Sequence, residues 1–274
     1  MSGPAPVAGV CGWPVAHSLS PLMMSVWLSE AGLAGRYMHV PARPEEFAEC
    51  VRARVEEGFS GLNVTVPHKQ AALELSDEAS ERALAVGAAN LLVFREGRIR
   101  ADNTDVTGLD AALQDDGGVG PAVLIGAGGA ARAVMYRLTR QEREIRIVNR
   151  TTARAQALAE AFGVRAAVHQ AADARALDGA RLIINASVLG MKGQPPLEAA
   201  LEAAAPDALV FDMVYTPLRT PLLEQAEALG LRTSDGLAML IGQARPAFEA
   251  LFGAPAPVGD SVRARLVAAL EGRS

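Results

Sequence analysis

The chain has 274 residues, half of them apolar and 21% charged, with a formal net charge of −5. That length and composition suit one large globular domain or two of ordinary size, each with a full core. The acidic balance argues against a general nucleic-acid or membrane-surface binder, so an anionic ligand must be held by a few well-placed groups.

Short apolar runs alternate with helical patterns along the chain, which predicts a parallel α/β architecture. Val7 to Cys11 reads as a buried strand, and Ser20-Pro21 as a helix start with serine at the cap and proline at the first helical position. Arg36 to Val40 is a second strand. A helix over Pro44 to Glu57 carries Phe47, Cys50, Val51 and Val55 on one face and ends at Gly58. Leu62 to Val66 is a strand leading to Lys69, and Leu91 to Phe94 with Ile99 to Ala101 form a hairpin around Glu96-Gly97.

After Asp105 the register changes. A helix near Gly108 to Leu113 and a Gly-rich break, Gly117 to Gly120, lead into a strand at Ala122 to Ile125. Further strands are expected at Ile145 to Val148, Leu182 to Ile184 and Leu209 to Met213, with helices between them. The pattern predicts a domain over residues 1–105, a second over 106–236, and C-terminal helices over 237–274 that return to the first. Ala254 to Val258 reads as a connector between those helices.

Cys11 and Cys50 fit neither a metal-ligand spacing nor a disulfide framework and read as small core residues. No stretch reaches transmembrane length, and the amino terminus lacks a basic region followed by an apolar core. A glycosylation sequon at Asn185-Ala-Ser187 carries no weight without export. These features lead us to expect a soluble protein of the reducing cytoplasm.

Of 26 basic residues only two are lysines, Lys69 and Lys192. A position that keeps lysine against such a bias can need a group that gives up and regains a proton, which a guanidinium does not. Lys69 closes Asn63-Val-Thr-Val-Pro-His-Lys69, where polar side chains follow an apolar strand and precede a helix. Lys192 reads as an exposed loop residue.

The strand at Ala122 to Ile125 runs into Gly126-Ala127-Gly128-Gly129-Ala130-Ala131-Arg132 and an amphipathic helix. Glycines there allow a tight turn and bring backbone amides to a pyrophosphate at the positive end of the helix. The next strand ends in Asn149-Arg150-Thr151, with Arg154 one turn later. An acid at that point would accept from a ribose 2′-hydroxyl, whereas arginine pairs with a 2′-phosphate and stacks on adenine. The reading is a dinucleotide site for NADP rather than NAD.

Three more polar clusters sit at the ends of apolar runs. Gly12-Trp-Pro-Val-Ala-His-Ser18-Leu-Ser20 offers two hydroxyls that can bind a carboxylate, although Ser20 can equally cap a helix. Ala88-Ala-Asn90 precedes a strand, and Ala101-Asp-Asn-Thr-Asp105 lies at the expected domain boundary. A carboxylate beside Lys69 would hold its ammonium for acid–base work on an alcohol that becomes a carbonyl, and Asp105 is the best candidate. His17 and His68 rank below Lys69 because neither has a clear orienting partner.

Taken in order, GWPVAHSLSP, NVTVPHK, GAAN, DNTD, GAGGAAR, NRT, INASVLGM, FDMVYTPLRTPLL and GLAMLIGQA resemble the shikimate dehydrogenase family over nearly the whole chain. The resemblance implies a two-domain α/β fold: an N-terminal substrate-binding domain and a Rossmann-like NADP-binding domain. It implies NADPH-dependent, reversible reduction of 3-dehydroshikimate to shikimate in the pathway to chorismate and aromatic amino acids. By motif, Ser18 and Ser20 would bind the substrate carboxylate with help from the Tyr215 hydroxyl. Thr65, Asn90, Asp105 and Gln243 would hold the ring hydroxyls, and Lys69 would move the proton with Asp105 as its partner. The cofactor would meet Gly126 to Ala130, Asn149 to Thr151 and Arg154, with Met213, Gly236 and Met239 near the nicotinamide and Ser187 to Leu189 at a cofactor-facing strand end. No metal is implied, nor any nucleic-acid or membrane partner, and the protein would be a monomer or homodimer.

Two positions depart from the family pattern: Leu91 stands where threonine usually follows Asn90, and Val188-Leu189 where a polar residue or proline usually continues INAS. Three other readings compete. A quinate/shikimate dehydrogenase would often use NAD and carry threonine in place of Ser20. A regulator that kept the fold without the chemistry would have lost Lys69 or Asp105. A folate-type dehydrogenase would leave the Ser18/Ser20 pair unexplained.

Overall fold

The structure, a computed structural model, describes residues 4–114, 116 and 119–272. The chain packs as two compact units: the first runs to Asp105 and resumes at Gln243–Ala269, and the second takes Val106–Gly242 and the residues from Leu270.

The first unit contains β1 (Val7–Gly12), α1 (Ser20–Glu30), β2 (Arg36–Pro41), α2 (Phe47–Glu56), β3 (Gly61–Val64), α3 (Lys69–Leu75), β4 (Glu78–Ala79), α4 (Glu81–Val86), β5 (Leu91–Arg95) and β6 (Arg98–Asp102). Its sheet has the order β2-β1-β3-β5-β6-β4. β1 pairs parallel with both β2 and β3, whereas β5 is antiparallel to β3 and β6, so the sheet is mixed. The antiparallel part follows from the turn at Glu96 and Gly97, whose φ angles of 52° and 74° suit a tight two-residue hairpin. Every residue of β3 is buried, as expected for a strand covered on both faces. On one face Phe47 and Val51 of α2 join Leu62, Val64 and Leu92 in an apolar cluster.

α5 (Asp105–Ala112) follows. Then come β7 (Ala122–Ile125), α6 (Gly129–Leu138), β8 (Ile145–Val148), α7 (Thr152–Ala161), β9 (Ala167–His169), α8 (Ala174–Leu177), β10 (Leu182–Asn185), β11 (Leu209–Asp212), α9 (Pro221–Ala228), β12 (Arg232–Ser234), α10 (Gly236–Phe252) and α11 (Ser261–Glu271). The division between the units falls inside α10. In the second unit the sheet order is β12-β11-β10-β7-β8-β9, with every pair parallel. The strand order therefore reverses between β7 and β10. In such doubly wound sheets, ligands bind beyond the carboxyl ends of the strands at that reversal.

Several elements differ from the sequence reading. Ser20 is the first helical residue of α1 and does not cap it: Leu19 takes the cap position with no side-chain bond. The physical reason is that the Met23 amide closes the first turn on Leu19 O at 3.0 Å, which puts Ser20 inside the helix, where its own amide donates to the Ser18 hydroxyl at 3.2 Å. Strand β3 ends at Val64, because Thr65 turns the chain by accepting from the His68 amide at 3.0 Å. The edge strands β4, β9 and β12, of two or three residues each, are too short to show as apolar runs. Of the expected Gly-rich break, Gly117 and Gly118 lie outside the described residues. Among the described residues no helix is long and apolar enough to cross a membrane.

Candidate active site

In the first unit, the carboxyl ends of β1 and β3 bring two loops together. The Thr65 amide donates to Cys11 O at 2.9 Å and the Trp13 amide to Val66 O at 3.0 Å. Gly12 is required at this crossing, since a Cβ there would overlap the Thr65 methyl. The loop carrying Ser18 and Ser20 thus lies beside the turn that leads into Lys69. His39 Nε2 lies 3.1 Å from Ser18 O and ties this loop to β2.

Lys69 is the first residue of α3 and is 8% exposed; Asp105, at the start of α5, is 4% exposed. Lys69 Nζ donates to Asp105 Oδ2 at 2.6 Å. The other carboxylate oxygen accepts from Asn90 Nδ2 at 2.9 Å. Asn90 is oriented in turn, because its Oδ1 accepts from the Thr104 amide at 2.7 Å, which points the amide nitrogen toward Asp105. That nitrogen also faces Thr104 Oγ1 at 3.0 Å and Gln243 Oε1 at 3.3 Å, so two protons are shared among three acceptors. Lys69, Asn90, Asp105 and the half-buried Gln243 are therefore gathered into one network.

Behind this network lie Asn63 and Tyr37, to which the sequence reading gives no role, and His68, which it ranks below Lys69. Asn63 Nδ2 donates to Asn90 O at 3.2 Å, and the Tyr37 hydroxyl donates to Asn63 Oδ1 at 2.8 Å. Burial holds the Tyr37 phenol well above its ordinary range, so it stays a neutral donor. His68, 2% exposed, stacks on Phe47 with ring centroids 4.5 Å apart, and its Nε2 lies 2.9 Å from Ala42 O. Thr104, within DNTD, carries no signal of its own in the sequence, yet it is fully buried between Asn90 and Gln243. Leu91, where the family usually has threonine, is buried at the start of β5 opposite Asn63.

The second unit carries the other set. Gly126 leaves β7 at φ 111°, and a Cβ there would sit 3.0 Å from Ala186 O and 3.1 Å from the Ser187 amide. Gly128 precedes α6 with extended backbone, no side-chain cap, and open space where a Cβ would point. The first-turn amides of this ten-residue helix, from Gly129, Ala130 and Ala131, have no side-chain partner there, and an anion fits that end. Beyond β8, Asn149 folds its side chain onto Thr151 O at 2.8 Å, and Arg150 and Arg154 are exposed. At the end of β11 come Met213 and Tyr215, both half-buried, and the 8%-exposed Met239 lies on α10. Gly236 allows the start of α10 to approach the Met213 carbonyl, which a Cβ would overlap. The residues present thus fit a dinucleotide with a 2′-phosphate.

Residues 10–92 match the family model described as shikimate dehydrogenase substrate binding domain, and residues 118–189 that of shikimate / quinate 5-dehydrogenase. The shikimate dehydrogenase (NADP(+)) of Paracoccus denitrificans is 48% identical over 272 residues, covering 96% of each chain. The chain belongs to the shikimate dehydrogenase family. Membership extends to the architecture: the shikimate 5-dehydrogenase of Thermus thermophilus, solved with NADP(H) and shikimate, aligns with a TM-score of 0.84 at 36% identity over 97% of this chain and 99% of its own. A quinate dehydrogenase of Corynebacterium glutamicum solved with NAD is also similar, at a TM-score of 0.83 and 31% identity over 96% and 99% of the two chains. Shikimate and quinate enzymes thus share this fold, and residues rather than architecture must separate them.

Proposed function

We propose that the protein is an NADP-dependent shikimate dehydrogenase that reversibly reduces 3-dehydroshikimate to shikimate, serving aromatic amino acid synthesis in the cytoplasm as a monomer or homodimer. The observation that carries this reading is the buried Lys69–Asp105 pair at 2.6 Å, braced by Asn90. The first unit would bind substrate and the second the cofactor.

When bound, NADP supplies the hydride chemistry. Lys69 gives a proton to the carbonyl oxygen during reduction and takes it back from the hydroxyl during oxidation, so one ammonium proton accounts for the charge that develops on oxygen. Asp105 holds the ammonium in place through Oδ2, while Asn90 prevents the carboxylate from rotating away. Ser18 and Ser20 hold the substrate carboxylate, aided by the Tyr215 hydroxyl. Thr65, Asn90, Asp105 and Gln243 bind the ring hydroxyls. Arg150 and Arg154 recognise the 2′-phosphate, Asn149 and Thr151 the adenosine end, and Gly126 to Ala130 the pyrophosphate. Met213, Gly236 and Met239 line the nicotinamide.

A spectrophotometric assay of shikimate and quinate, each against NADP and NAD, tests the reading. Turnover with shikimate and NADP is expected to dominate. Comparable turnover of quinate, or with NAD, would move the protein to the dual-specificity branch, and no turnover with any pair would reject the reaction.

A further inference from the structure

Asp212 ends β11 with no exposed surface, and among the described residues no basic side chain pairs with it. Burial pushes its carboxyl above the ordinary range, against the pull of bonds from Thr220, Val214 and Asn185. A buried carboxylate without a counter-charge is costly, and an apolar side chain of similar size would pack there without that cost. The position of its acceptors shows what the cost supports. Oδ1 accepts from Asn185 Nδ2 at 2.9 Å and from the Val214 amide at 3.0 Å. Oδ2 accepts from the Thr220 hydroxyl at 2.7 Å, and that hydroxyl in turn accepts from the Leu223 amide at the start of α9.

Asn185 passes the constraint on. Its second amide proton goes to Leu189 O at 3.0 Å, and its Oδ1 accepts from the Ser187 amide and hydroxyl at 3.0 and 2.7 Å. The loop after β10 is thereby wound around a side chain that Asp212 orients. The same loop forms the wall behind Gly126, whose missing Cβ would meet Ala186 O and the Ser187 amide. On the other side, the Val214 bond fixes the backbone against which Gly236 packs, at Met213 O and Val214 C.

We propose that Asp212 is a positioning residue for the cofactor face of the second unit: through Asn185 and Val214 it sets the two loops that flank the dinucleotide turn and the start of α10. The inference rests on the cofactor reading above, and goes beyond it by naming what holds that face in register. Hydrogen bonding by Oδ1 is the operative feature, so asparagine, which keeps an oxygen there, substitutes for aspartate.

The test measures NADPH affinity by fluorescence titration, together with KM for both NADP and shikimate. Asp212→Ala is expected to weaken NADPH binding about tenfold or more, raise KM for NADP and leave KM for shikimate within about twofold. Asp212→Asn is expected to restore binding to within about threefold of the parent. A variant that merely folded less well would lower the active fraction and leave both KM values in place, which would overturn the proposal, as would equal loss in the alanine and asparagine variants. Should Asp212→Ala fail to fold, Asn185→Ala provides the reading, because it removes the side chain through which Oδ1 holds the loop after β10; unchanged NADPH affinity there would overturn the proposal. NADPH titration needs no turnover. Parent protein that binds NADPH but leaves shikimate unchanged rejects the reaction and leaves the Asp212 result valid, whereas parent protein that does not bind NADPH overturns both.

Discussion

At the scale of single residues, the proposed chemistry separates groups that would move protons or hold charge from groups that only hold them still. Replacing Lys69 by alanine removes the proposed proton carrier, so kcat should fall by about 10²- to 10⁴-fold while NADPH affinity stays near the parent value. Steady-state kinetics and an NADPH titration check this together, and loss of cofactor binding would make Lys69 structural. Arg150→Asp replaces the proposed partner of a 2′-phosphate by a repelling charge. KM for NADP should rise by about tenfold or more with KM for NAD little changed, and equal weakening of both would reject the phosphate role. Both residues stand out in the sequence because each breaks a local bias: lysine in an arginine-rich chain, arginine where an acid serves NAD. Thr104, Asn63 and Tyr37 break no such bias. Their importance lies in partners 14, 27 and 26 positions away, which no local pattern encodes.

At the scale of elements, strands and helices with strong apolar patterns were legible, and their ends were less so. β7 and β8 fall on the expected residues because β7 is a short apolar run buried throughout and β8 is buried at every position but Arg146. Ser20 falls inside α1 and not at its cap because the first helical bond, from the Met23 amide, closes on Leu19 O. Helix α10 shows how aromatic packing stabilises the first unit. Phe248 lies edge-on to Trp27 with centroids 5.6 Å apart and tilted against Phe252 at 5.1 Å, and is itself fully buried. Phe248→Ala should cost about 3–5 kcal/mol in urea unfolding, since the surrounding rings cannot close the cavity. At the turn after β7, Gly126→Ala forces a side chain into φ 111° and toward Ala186 O. About 1–3 kcal/mol of strain is expected there, together with weaker NADPH binding, measured by thermal melts and cofactor titration.

At the scale of the whole molecule, two sheets are built differently from one chain. One is mixed because a hairpin enters it; the other is wholly parallel and reverses its order between β7 and β10. One carboxylate from each sheet, the half-buried Asp102 and the buried Asp212, responds to pH with opposite sign. Burial acts to raise the Asp102 pKa, but bonds from Ser80, Arg82 and the Asn103 amide outweigh it and leave the carboxyl below its ordinary value of 3.8. The folded state therefore favours the ionised form, and this contribution is present above pH 3.8 and lost as pH falls through the lower folded value. Asp212 has a raised pKa, so its contribution is fully present below 3.8 and lost as pH rises through the folded value. In urea titrations between about pH 2 and pH 7, Asp102→Asn should flatten the acid-side loss of stability. An unchanged acid limb would reject the role given to Asp102.

The sequence by itself determined the family, the α/β class and the residues around which a dinucleotide and a substrate are proposed to bind. Those features rest on local rules: apolar runs make strands, glycines make turns, and motif order survives without any knowledge of distance. Only the tertiary structure decided which side chains brace the site, because hydrogen-bond partners depend on which strands lie side by side. Lys69 with Asp105, Asn90 with Gln243, and Asp212 with Asn185 meet across 36, 153 and 27 positions of chain. Strand order sets those meetings: β10 lies between β7 and β11, which places Asn185 between the glycine turn and Asp212.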